Sequence, residues 1–141
     1  HELRRSKYMV HMRADHRLAK KPVLSLVDLQ TETLVLPEDG SLTQRIANRK
    51  IKKHGLTFQR ILKTTTFPMV KEALLHGLGV GLLLENSLYP SDNLVAIPVH
   101  EMPEEYRDCV VIPRDKKDLR LIQSFLGVCI DGTVAEPQKS A

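Results

Sequence analysis

Val70-Lys71-Glu72-Ala73-Leu74-Leu75-His76-Gly77-Leu78-Gly79-Val80-Gly81-Leu82-Leu83 is the stretch whose reading decides the fold. Extended back to Phe67, its first part sets Phe67, Val70, Leu74 and Gly77 on one helical face, and Pro68 suits the first turn of that helix. Gly77 closes the helix. Val80 to Leu84 is a continuous apolar run of strand length, the pattern of a strand covered on both faces. The glycines invite a phosphate-loop reading, but their placement is reversed. A dinucleotide fingerprint follows a strand and opens a helix, whereas Gly77-Leu78-Gly79-Val80-Gly81 ends a helix and opens a strand. A C-cap glycine followed by positions of close backbone packing accounts for them.

Working outward, the same alternation continues. Upstream, Tyr8 to Met12 reads as a strand, Lys20-Lys21-Pro22 as a polar loop, and Ser25 caps a short helix with Asp28 at its third position. Thr33 to Leu36 is a buried strand ended by Pro37, and Glu38-Asp39-Gly40 is a turn. Ser41-Leu42-Thr43-Gln44 fits a capping box and opens a helix to about Lys53, with Gly55 as its stop. Phe58 to Lys63 alternates as a strand. Downstream, Leu94 to Val99 and Arg107 to Pro113 read as strands, and Asp118 to Val128 as a last helix with Leu119, Ile122, Phe125 and Leu126 on one side. The polar tail after Asp131 is expected to fray. Apolar strands alternating with helices predict a mainly parallel α/β sheet.

At 141 residues the chain has room for one real core. Aromatics are 4% and Trp is absent, so that core is aliphatic and no base-stacking sheet is available for single-stranded nucleic acid. A net charge of +4 is too mild for a dedicated DNA-binding surface. No apolar run is long enough to span a bilayer and no signal peptide is visible, so no membrane partner is expected. Cys109 and Cys129 lack C-x-x-C spacing, which leaves a reduced, cytoplasmic setting as the expectation, with both thiols read as small buried apolar groups. The six histidines show no metal-ligand spacing and no G-x-S-x-G elbow exists, so no catalytic residue, metal or cofactor is assigned. The basic run Arg45 to Lys53 has a possible reading as a phosphate-contacting, nucleic-acid-binding helix. The solvated face of an amphipathic helix, with Ala47 and Ile51 turned inward, explains it better.

Two helix starts carry the candidate chemistry: Gly40-Ser41-Leu42 and Thr65-Thr66-Phe67-Pro68. Each directly follows a buried strand, which places both at carboxyl ends of parallel strands, the edge where open α/β sheets bind ligands. Free backbone amides there, beside Ser and Thr hydroxyls, suit a carboxylate or another small anion. Ordinary capping explains each start taken alone.

Laid in order, these segments resemble the effector-binding domain of LysR-type transcriptional regulators, from about Ser6 to Leu126. Asp15-His16-Arg17-Leu18-Ala19 is similar to the family's His-Pro-Leu-Ala turn, with Arg17 in the proline's place. Ser25 to Leu29, Thr33 to Pro37 and the Val70 to Leu83 stretch resemble the elements that follow. The resemblance implies a type 2, periplasmic-binding-protein-like fold in which residues 13–106 form a complete Rossmann-like second subdomain. Residues 1–12 and 107–141 then supply crossover strands, the terminal helix and what remains of a discontinuous first subdomain. It implies a small anionic metabolite as ligand, no enzymatic activity, and DNA contact only through an N-terminal winged helix-turn-helix that would precede His1. Effector contacts carried over from the family fall on Pro37, Gly40, Ser41 and Leu42, and on Thr66, Phe67 and Pro68. Ser41 and Thr66 would bond the anionic group, Leu42 and Phe67 would wall the apolar part, and the prolines would fix the loops. One branch of the family senses peroxide with a cysteine just after this turn; here Ser41-Leu42 follows Gly40, so the nucleophile is lacking. Family pairing of effector domains, with the last helix short of cover, also implies a homodimer or higher homo-oligomer.

Overall fold

In chain order the elements are β1 (Glu2–Arg13), β2 (Leu34–Pro37), α1 (Leu42–Lys53), β3 (Ile61–Thr64), α2 (Phe67–Leu75), β4 (Val80–Leu84), β5 (Leu94–Pro98), β6 (Glu105–Cys109) and α3 (Arg120–Asp131). The computed structural model describes residues 1–88 and 93–131; the tail expected to fray lies outside them. Short 3-10 turns occupy Arg17–Lys20, Leu26–Leu29, Glu85–Ser87 and Arg114–Lys116. The chain forms two compact units, Ser6–Glu105 and His1–Arg5 with the chain from Tyr106 onward.

In the Ser6–Glu105 unit the strand order is β3-β2-β4-β1-β5. β2 runs parallel to both β3 and β4, as βαβ connections through α1 and α2 require. β1 departs from the mainly parallel expectation: it is inserted between β4 and β5 and runs antiparallel to both, making the sheet mixed. It enters from outside the helix-connected run, so no crossover helix dictates its direction. Val35 and Leu83 pack with Val70, Ala73 and Leu74, so α2 covers that face of the sheet. Strand alternation turns Leu34, Leu36 and Leu82 to the other face, together with Tyr8, Val10 and Met12, all buried. There the Tyr8 hydroxyl donates to the Thr43 carbonyl at 2.7 Å and ties the first turn of α1 to the sheet.

The glycine run behaves as packing requires. Gly77 (φ 70°) follows the end of α2, and Gly79 lies so close to the Thr33 backbone that a Cβ there would come within 2.1 Å of the Thr33 carbonyl oxygen. That same oxygen accepts the Val80 amide at 2.9 Å. The contact sets the start of β4 against the approach to β2.

In the second unit, β6 pairs with β1, and His1 and Val110 exchange backbone hydrogen bonds at 2.9 and 2.8 Å. Arg4 and Asp108 form an ion pair at 2.7 Å. The strand expected over Arg107 to Pro113 instead covers Glu105–Cys109. Cys109 is exposed and Cys129 half-buried, which corrects their reading as buried apolar groups. Glu105, Arg107 and Asp108 of β6 are exposed with it. On α3, Leu126 is buried, Ile122 is half-buried, and Leu119 and Phe125 are exposed.

Candidate functional site

The register Pro37↔Thr64 brings the exits of β2 and β3 side by side, so the loops leading into α1 and α2 leave one edge of the sheet. Pro37 is buried at the end of β2. The turn after it needs a glycine: Gly40 has φ 105°, a conformation that side-chain-bearing residues rarely adopt. Ser41 then caps α1, its Oγ accepting the Gln44 amide at 3.1 Å. On the neighbouring loop, Thr66 caps α2 by accepting the Met69 amide at 3.4 Å, and Pro68 occupies the first turn without a lost hydrogen bond. Lys63 of β3 pairs with Asp39 at 2.5 Å and pins the turn between the two helix starts.

The two helices lie on opposite faces of the sheet, so the predicted site residues do not all converge. Gly40, Ser41 and Thr66 flank the shared edge. Leu42 is 60% exposed at the start of α1. Phe67 and Pro68 instead line, with Lys71, Ser87 and Leu88, an apolar recess of about 120 Å³ on the α2 side. A larger cavity of about 270 Å³, lined by Arg13, Ala14, Asp15, Leu75 and Asn93, sits at the opposite end of the sheet, where α2 finishes. There Arg13, bonded through Nε to Asp15 at 2.8 Å, holds the Asp15 carboxyl below its usual range.

One sequence expectation fails at the edge itself. Only half of the capping box at Ser41 forms: Ser41 receives the Gln44 amide, but the Gln44 side chain does not return to Ser41. The short helix at Leu26–Leu29 does close its box, through Ser25 and Asp28. Gln44 is 2% exposed, and no protein donor reaches its Oε1. Sequence reasoning missed this residue as a site candidate because the capping motif already explained it. It also missed Tyr8, a phenol within an apolar strand, whose hydroxyl had to find a buried partner. It missed Glu101 too, which accepts the Leu26 amide at 3.1 Å and a bond from the Ser25 hydroxyl.

The basic helix shows the amphipathic arrangement, with Ala47 buried, Ile51 half-buried, and Arg45, Arg49, Lys52 and Lys53 outward. Lys50 pairs with Glu104, holding that carboxyl below its usual range. Among the described residues no three His, Cys, Asp or Glu side chains form a metal-holding group, and no helix is long and apolar enough to cross a membrane.

Residues 1–133 match the family model of the LysR substrate binding domain. The chain belongs to that family. It is 29% identical over 109 residues to the HTH-type transcriptional regulator CbbR of Rhodospirillum rubrum, a match covering 75% of this chain and 36% of that protein. It is also 29% identical over 106 residues to the RuBisCO operon transcriptional regulator of Allochromatium vinosum, covering 73% of this chain and 35% of that one. The chain thus spans about a third of the length of these relatives. The regulatory domain of Synechocystis PCC6803 CcmR, solved in complex with 2-PG, superimposes with a TM-score of 0.72 at 21% identity, covering 97% of this chain and 67% of that one. The fold is therefore that of LysR effector domains, periplasmic-binding-protein-like. In this LysR domain the Asp15 to Ala19 motif forms a 3-10 turn capped by His16, with Leu18 buried beneath it. Arg17, in the place of the family's proline, bonds the Thr31 hydroxyl at 2.8 Å and pairs with Glu32.

Proposed function

We propose that this LysR substrate-binding domain senses a small anionic metabolite at the edge formed by the β2 and β3 exits, without catalysing a reaction. The observation that carries the reading is the pairing of two capped helix N-termini at adjacent carboxyl strand ends, where backbone amides favour an anion. Gly40, Ser41 and Thr66 flank this edge, Pro37 and Leu42 belong to its α1 side, and Phe67 and Pro68 line the recess on its α2 side; the relative solved with 2-PG supports ligand recognition by the same fold. Residues 13–106 act as the second subdomain, with 1–12 and 107–141 as crossover strands and part of the first. DNA is reached through a winged helix-turn-helix outside this chain, in the cytoplasm. Ligand acts by preferring one conformation of the regulator over another.

In the regulator carrying this domain, Ser41→Ala and Thr66→Ala should each cost about 1 kcal/mol of helix capping, and the double variant should respond to effector far more weakly in DNA-binding titrations. A double variant with the parent's dose response would remove this edge from the ligand site. The regulator also self-associates, with the open face of α3 covered by a second copy. Sedimentation at micromolar concentration should show Phe125→Asp shifted toward monomer; equal association by parent and variant would rule that face out.

A further inference from the structure

We infer that the cavity of about 270 Å³ where α2 finishes is a second small-molecule site, and that it takes an α-amino acid, held as the zwitterion by Arg13 and Asp15. It lies at the opposite end of the sheet from the proposed effector edge and stands or falls independently of it. Its frame is built from fixed parts. Arg13 ends β1, paired in register with Leu94, and the Ala14 amide donates to the Asn93 carbonyl at 2.9 Å. The Arg13 stem lies along Gly77, with Cδ 3.6 Å from where a Cβ would stand, and a φ of 70° favours glycine there.

The end of α2 supplies an acceptor. The carbonyls of Glu72, Ala73 and Leu74 receive the amides of His76, Leu78 and Gly77, at 2.9, 3.0 and 2.9 Å. The carbonyl of Leu75, which also lines the cavity, is reached among the described residues only by Arg13 Nη1, at a long 3.5 Å. Arg13 directs Nε and Nη2 at Asp15; with Nη1 on Leu75, three of the five guanidinium N–H groups are engaged and two stay open. The Asp15 side chain is 66% exposed and its oxygens keep further lone pairs. The cavity therefore sets donors on a cation beside acceptors on an anion and at the negative end of a helix. A plain carboxylate would meet Arg13 but face Asp15 and the helix end. A plain amine would meet those two but face the guanidinium. An α-amino acid carries both charges one carbon apart and satisfies both sides at once.

The test is calorimetry on the regulator that carries this domain, titrated with the common L-amino acids one by one. At least one should bind with a Kd below about 1 mM. Its N-acetyl derivative, which lacks the ammonium, and its methyl ester, which lacks the carboxylate, should each bind about tenfold or more weakly. Asp15→Asn should cost the amino acid about tenfold in affinity. Ala14→Phe, which fills the cavity and leaves both charges, should abolish binding; should that variant fail to fold, Asp15→Asn, on an exposed side chain, still decides. Three results overturn the assignment: no amino acid binds, a derivative binds as tightly as its amino acid, or binding survives Asp15→Asn. Binding that survives Asp15→Asn but is lost in Ser41→Ala would place the amino acid at the effector edge instead.

Discussion

Gly79→Ala should abolish cooperative folding of the Ser6–Glu105 unit. The added Cβ would lie 2.1 Å from the Thr33 carbonyl oxygen and 2.9 Å from its carbon. Backbone cannot swing aside as a flexible side-chain tip can, and the Thr33 oxygen is itself held by the Val80 amide. Relief requires β4 to move off β2, which breaks the Leu34↔Val80 register at the centre of the sheet. The expected loss is about 4 kcal/mol or more, the range of severe backbone clashes and broken buried networks. That is a large part of the roughly 5 to 15 kcal/mol that holds a domain together. Gly127→Ala is the control: no atom lies within 4 Å of its Cβ and it sits inside α3. There alanine should stabilise by about 0.5 to 1 kcal/mol through helix propensity. Urea unfolding of both variants beside the parent decides the matter; a Gly79→Ala transition within about 1 kcal/mol of the parent would contradict the close approach.

The second large effect is acid sensitivity set by His11. This residue lies in the middle of β1, paired with Gly81 on one side and Ala96 on the other. It is 5% exposed, and its Nε2 has no protein partner. Burial disfavours the imidazolium and pushes the pKa down from 6.5 to about 4, against a smaller opposing contribution from the backbone at Leu84. The folded state therefore holds His11 neutral where the unfolded chain is already protonated. Between the two pKa values the unfolded state binds more protons, so stability is complete above pH 6.5 and falls as pH drops toward 4. The full effect is about 3 kcal/mol. Carboxylates held low by their partners, Asp28 by Lys21 and Glu104 by Lys50, add their own loss only at the acid end of that range and below. The window from pH 6.5 to about 4.5 thus belongs mainly to His11. Chemical denaturation across that window should show a slope in the parent and a nearly flat line in His11→Leu. Equal slopes would mean that His11 is solvated in the folded state.

What the sequence makes legible follows from how local its causes are. The helix, stop and strand between Phe67 and Leu84, the span of α1 from Leu42 to Lys53, and the caps at Ser25, Ser41 and Thr66 all rest on interactions within a few residues. Each is readable from neighbours in the chain. The first residues of β1 are not: Glu2, Arg4 and Arg5 carry no apolar alternation, and they are strand because β6 lies beside them, with Asp108 and Arg107 supplying opposite charges. The antiparallel seat of β1 between β4 and β5 is equally invisible, since nothing within Tyr8 to Met12 states which strands will flank it. At the candidate site, the position of the two helix starts is local and legible. The state of Gln44 is not, because a serine cap followed by glutamine is the same string whether the side chain closes the box or is buried without closing it.

The place of β1 has a consequence for how the chain is born. During synthesis this strand leaves the ribosome ahead of its partners β4 and β5: Tyr8 waits for Leu84, and Arg13 waits for Leu94. At about 5 to 20 residues per second, that is a delay of several seconds. The β2-α1-β3-α2-β4 run can assemble meanwhile from short-range contacts, while Val10 and Met12 remain without cover on an unpaired strand. Such a strand is a template for the wrong partner. Within this unit β1 is thus made long before it can be seated, and the nascent chain is most vulnerable to aggregation just before β4 emerges.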